Sequence, residues 1–179
     1  MTDIAFHPLF PLDMGPLYYF SVLGRALFTA QHLETKCRGI EGYLYMRKTP
    51  SLHDSIIANS PFQKGIEELW KKTLGQHVHA LKRDHGVLPG DVATIFESDR
   101  DARNEIAHHV AADISERLEV DLDERIEHIL GLVRSIAEAD KFASMMLHLL
   151  NKAPLPTKDF LDSYEDRVVA WVAEGTIEE

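Results

Sequence analysis

The chain has 179 residues, of which 45% are hydrophobic and 27% charged, the make-up of a folded globular domain rather than a disordered one. Its formal net charge of −10 excludes a general nucleic-acid coat, so any contact with RNA or DNA has to be local. No apolar run approaches the ~20 residues of a membrane span, and the lone cysteine, Cys37, excludes an intrachain disulfide and points to a reducing, cytoplasmic setting.

Residues 1–15 carry Pro8 and Pro11 beside the acidic Asp3, and read as an extended segment without an export signal. From Pro16 to Arg47 apolar positions recur every three or four residues: Phe20, Leu23, Leu27, Ala30, Leu33, Cys37, Ile40 and Leu44. This spacing predicts one long amphipathic helix, with Cys37 a buried and quiet thiol on its stripe. Pro50 ends it, and SLHDSIIANS predicts a short helix. Ser60-Pro61-Phe62-Gln63 is a helix start, with a serine cap, a proline in the first turn and a glutamine three residues on. The helix it opens is expected to run to Gly86, with Trp70 in the core and His77, His79 and His85 on a solvated face.

A third long helix is expected from Val92 to Leu118, and a fourth from Asp121 past Leu149, where Met145-Met146 reads as core. The loop APLPTKD then leads to a last helix within residues 157–175. No segment alternates like a strand. The fold class is therefore all-α: an antiparallel bundle of four long helices over 16–151 with one or two short ones, in a single domain.

Within the third helix, ARNEIAHHV places unusual residues on an ordinary amphipathic pattern. At about 100° per residue, Val92 and Val110 fall about 20° to one side of Arg103, and Phe96 and Ile114 about 20° to the other. Arg103 then projects along the apolar stripe, while Asn104 and His108 lie about 100° and 140° round on a common face. Burying a guanidinium without partners is costly, so its position asks for a reason. One reason is structural: an ion pair across the bundle, with His108 a surface histidine.

The other comes from a resemblance. Arg103-Asn104-x-x-x-His108 resembles the signature of the HEPN family (higher eukaryotes and prokaryotes nucleotide-binding). These are small all-α bundles whose motif is an arginine, usually a polar residue, and a histidine four to six residues after the arginine. The likeness in architecture spans residues 17–150; its specific part is RNEIAH. It implies a metal-independent endoribonuclease, a toxin or defence effector, dimerising so that two motifs face one cleft, with an antitoxin or nucleotidyltransferase as partner. Family members that only bind nucleotides or proteins imply a non-catalytic alternative, and a plain helical scaffold is a third reading.

The chemistry of the residues suits the first. Histidine moves protons near neutral pH, and arginine offers planar donors to a phosphate. Asparagine can orient either group through its amide. The densest basic stretch, with Lys71, Lys72, Lys82 and Arg83, is the expected track for an RNA backbone. No cofactor or metal is expected. Glu105-x-x-His108 has the spacing of a di-iron ligand pair, but its nearest echo, Glu124 to His128, is one residue too long. His109 reads as a bystander.

Overall fold

A computed structural model describes residues 14–48, 60–110 and 121–175, and every regular element in them is a helix. The short helix expected over 51–60, and the end of the third helix beyond Val110, lie outside the described residues.

Helix α1 (Met14–Lys48) is one uninterrupted rod. Its buried face runs through Tyr19, Val22, Ala26, Ala30, Leu33, Cys37 and Ile40, whereas Phe20 is turned outward. Next come α2 (Pro61–Lys71), α3 (Leu74–His79) and a π turn (Ala80–Asp84) that continues α3. Helix α4 (Gly90–Asn104) is likewise extended by a π turn (Glu105–Val110). Helix α5 (Leu122–Leu150) starts on Asp121, whose carboxylate accepts from the amides of Asp123 and Glu124. Two short helices close the chain, α6 (Lys158–Asp162) and α7 (Tyr164–Glu174). The all-α class holds in all of this.

The expected second long helix is two helices. Lys72 is extended (φ −69°, ψ 145°), and Thr73 opens a new helix in a capping box with Gln76. The chain reverses there. Tyr45 of α1 packs on Phe62, and Arg38 lies over Trp70, so α2 runs against α1. After the break, His77 meets Glu41 and Lys48 reaches the carbonyl of Asp84, so α3 runs with α1.

This extra reversal sets the sense of everything downstream. Helix α4 runs against α1, with Arg103 beside Glu34, and against α5, with Ser98 facing Ser135 and Glu105 facing His128. Helices α1 and α5 are therefore parallel neighbours: Lys36 bonds Asp140, and three residues on Gly39 meets Leu147. The buried stripes of α1, of α4 with its π turn, and of α5 interlock around Leu33, Ile40, Phe96, Ile106, Ile129, Val133 and Ile136. At ~25 cal/mol per Å² of apolar surface, such side chains supply most of the folding drive.

Helix α7 packs antiparallel on α1. Its end is held by Arg25, which donates to the carbonyls of Val172 (2.7 Å) and Ala173 (2.9 Å). Gly175 follows in the left-handed region (φ 77°), where a Cβ would be strained. A cation on these terminal carbonyls also complements the helix dipole.

Candidate functional site

Arg103 and Asn104 end the α-helical part of α4, and His108 lies in the π turn that follows. This changes the expected angles. α-Helical winding would leave residues five apart about 140° from each other. A turn closed by i→i+5 bonds swings the fifth residue round toward the first. The π turn thus moves His108 off the position that α-helical winding would give it.

Arg103 does not sit in the middle of the buried stripe. The buried positions of α4 and its π turn are Ala93, Phe96, Asp99, Ala102 and Ile106, so Arg103 rides on the flank, with 30% of its side chain exposed. Its Nη2 lies 3.4 Å from Glu34 Oε2, and its Nη1 donates to Asn104 Oδ1 at 3.2 Å. Glu34 also accepts from Arg38 at 3.1 Å. Asn104 and His108 are exposed. The guanidinium is thus held by one shared carboxylate while part of its edge meets solvent. The side chain of His109 lies outside the described residues.

One turn before Arg103 comes a residue that the sequence reading passed over. Asp99 is fully buried, and neither of its oxygens has a hydrogen-bond partner. Desolvation, and the nearby Asp140 charge, push its pKa up to about 8, against a smaller downward pull from Arg103. At neutral pH it is a buried neutral acid beside the motif. A carboxylate on an apolar stripe, at i−4 to the motif arginine, was the signal that could have found it.

The basic residues divide. Lys71 is exposed and paired with Glu68 at 2.7 Å, a bond that raises the ammonium pKa. Lys72 is committed to the buried carboxylate of Glu41, so it belongs to the scaffold rather than to an RNA track. Lys82 reaches across to Glu97 at 2.7 Å and holds that carboxyl below its usual pKa. Lys82 and Arg83, with His79 and Arg100, line a small cleft of about 170 Å³ between α3 and α4. Arg100 sits one turn before Asn104 on α4 and pairs with Asp101 at 2.7 Å. Lys71 and Lys72, at the far end of α2, are not part of this cleft.

Other expectations are corrected. His77 is not on a solvated face: it is wholly buried, and its Nδ1 lies 2.6 Å from Glu41 Oε2. A carboxylate can only accept, so Nδ1 carries the proton. The start of a new helix at Thr73 gave this segment a register the periodicity did not show. Trp70 is not core but 65% exposed, its ring beneath the Arg38 guanidinium at 5.0 Å. Burial and Lys48 lower the pKa of His85. Cys37 is fully buried, and desolvation, helped by Asp99, pushes its thiol pKa well up, as a quiet cysteine requires. Glu105 meets His128 at 2.7 Å rather than forming a pair with His108, and no cluster of three metal-ligating side chains forms among the described residues.

Comparison with known proteins adds no relative: no family model, no curated protein and no solved structure matches the chain.

Proposed function

We propose that the protein is a metal-independent endoribonuclease of the HEPN type, built on an all-α scaffold, with Arg103, Asn104 and His108 as its catalytic group. The observation that carries the reading is the π turn at Glu105–Val110, which begins directly after Asn104 and contains His108. Such turns cost regular helix bonding and gather at functional sites. Two exposed polar groups and a part-exposed guanidinium then share one end of α4.

In this reading His108 takes the proton of the ribose 2′-hydroxyl or returns one to the leaving oxygen. Arg103 donates to the scissile phosphate as charge builds, and Asn104 orients it. Because one chain supplies a single arginine and histidine, two copies about a two-fold axis form the working cleft. RNA approaches along Lys82, Arg83 and Arg100. Cleavage by 2′-hydroxyl attack leaves 2′,3′-cyclic phosphate ends, and a toxin or defence role would call for a neutralising protein partner.

Purified protein incubated with mixed cellular RNA in EDTA tests this. Cleavage is expected to fall by ~10²–10⁴-fold in His108→Ala and by ~10²–10³-fold in Arg103→Ala. A 2′-deoxy substitution next to the scissile bond should stop it. Light scattering should report about twice the 20.3 kDa of one chain. A monomer with no cleavage of any RNA overturns the proposal.

One contact favours a second reading. The 3.4 Å pairing of Arg103 with Glu34 is what a scaffold arginine would make. In that case Arg103→Ala and Glu34→Ala should lower stability together, and neither should touch any activity.

A further inference from the structure

A cavity of about 460 Å³ opens where α1, α5, α6 and α7 meet. That is within the ~300–1,000 Å³ range of small-molecule sites. Two helices supply most of its wall. On α1, Phe28 and His32 stand one turn apart and stack (6.1 Å, 10°). On α7, Tyr164, Arg167, Val168 and Trp171 fall at the i, i+3, i+4 and i+7 positions of one face. Trp171 tilts against Phe28 (5.8 Å), and Tyr164 meets Phe160 of α6 edge-on (5.7 Å). Phe28 is nevertheless 59% exposed and Phe160 38%, so these two rings are only partly covered.

The polar groups of this wall divide into committed and free. The Thr29 hydroxyl donates to the Arg25 carbonyl, and the Tyr164 hydroxyl donates to Asp140 Oδ2. Lys36 neutralises the same carboxylate at 2.7 Å, and its other oxygen, Oδ1, is sealed from solvent. Asp140 therefore presents no open charge to a ligand. Arg167 and His32 differ. The acids that precede Arg167 are taken by other cations, Glu165 by Lys141 and Asp166 by Arg134 (2.7 Å). The Arg167 guanidinium lies over the face of Phe160 at 5.3 Å and has no hydrogen bond or ion pair among the described residues. The ring nitrogens of His32 have none either.

We infer that this cavity binds a small aromatic carboxylate, its ring among Phe28, Val168 and Trp171 and its carboxylate on the Arg167 guanidinium. Stacking on Phe160 uses the face of the guanidinium and leaves its edge, where the N–H donors lie, open to a planar partner. A carboxylate matches that fork with two parallel charge-assisted bonds. One unpaired guanidinium also matches a single negative charge. His32 adds a donor to the same wall, since an imidazole carries an N–H in either protonation state. The protein's net charge of −10 opposes anions in general. That field is largely screened beyond roughly 10 Å at ordinary salt, whereas the guanidinium acts at bonding distance. The site is independent of the ribonuclease reading, since none of Arg103, Asn104 and His108 lines it.

Isothermal titration of the full chain with 2-naphthylacetate, 2-(2-naphthyl)ethanol and 2-(2-naphthyl)ethylamine tests it. The acid should bind saturably with a Kd on the order of a millimolar or tighter, as fits so few atoms. The alcohol and the amine should each bind about tenfold more weakly or not at all, because neither offers a charged acceptor. Arg167 and Phe28 are both exposed, so changes there leave the fold intact. Arg167→Gln should weaken the acid about tenfold and leave the alcohol unmoved, which removes the preference between them. Phe28→Ala should weaken the acid and the alcohol alike, severalfold. Equal or tighter binding of the alcohol or the amine would overturn the inference. So would an affinity for the acid unchanged by Arg167→Gln or by Phe28→Ala, or no saturable binding of the acid at all.

Discussion

Of the three acids buried among the described residues, Glu41, Asp99 and Asp140, the first two are treated in opposite ways. Glu41, where α1 meets α3, has both oxygens engaged, Oε1 by Lys72 and Oε2 by His77. Asp99, on the inner face of α4, has neither oxygen engaged. The first is a closed polar network of the sort that fixes the register of one helix on another. The second is a cost with no local return, and it lies one turn from Arg103 at the start of the motif end of α4. A satisfied network reads as scaffold, whereas an unsatisfied buried acid is a cost that packing alone does not explain.

The largest effect on stability should come from breaking the closed network. Glu41→Ala removes the one hydrogen-bond partner that the wholly buried His77 imidazole has among the described residues, and strands Lys72. Leaving such partners uncompensated costs about 3–5 kcal/mol. Urea denaturation should show the loss at neutral pH, and Glu41→Gln should recover part of it. A Glu41→Ala loss below about 1 kcal/mol would remove the contrast drawn with Asp99.

Asp99 should behave in the reverse way. Its carboxyl ionises near pH 4 in the unfolded chain and at about 8 in the folded one. Between those values the folded state holds one more proton, so stability falls as pH rises, by about 1.4 kcal/mol per unit, and levels off above the folded pKa. Asp99→Asn keeps the shape and cannot ionise. It should flatten that slope and stabilise the protein by roughly 2–5 kcal/mol at pH 8 relative to the parent. Melting curves at pH 5, 6, 7 and 8 for the two proteins decide it. Parallel curves would mean that Asp99 is hydrated or paired in solution.

Much of the architecture was legible, and the reasons are local. The stripe from Leu23 through Leu33 to Ile40, and that from Ile126 to Ala143, are long and regular enough that no turn signal competes with them. The Ser60-Pro61 start was read as well. The reversal at Lys72-Thr73 was not, although Thr73-x-x-Gln76 is itself a capping box, because the apolar positions Leu69, Leu74 and Val78 carry a helical rhythm straight across it. One missed break buried His77 and made α1 and α5 parallel. At the site, the motif residues were legible by type. Their angles were not, since a π turn leaves no mark in the periodicity. Asp99 was hidden by its own burial, as a carboxylate on a stripe looks like an irregularity rather than a group.

The smallest effect is the one that bears most on function. Arg103 is part-exposed, and its one ionic contact among the described residues, at 3.4 Å, is with a glutamate that also holds Arg38. Removing it leaves Glu34 a second partner, so Arg103→Ala should cost no more than about 1 kcal/mol in thermal denaturation, the range of part-exposed pairs. That separates it from Glu41→Ala, in which a buried imidazole loses its carboxylate partner. If Arg103 closed a dry ion pair, the loss would instead approach about 3–5 kcal/mol, and the arginine would belong with the scaffold. A variant that melts close to the parent yet no longer cleaves RNA places Arg103 in chemistry, because packing would then account for neither result.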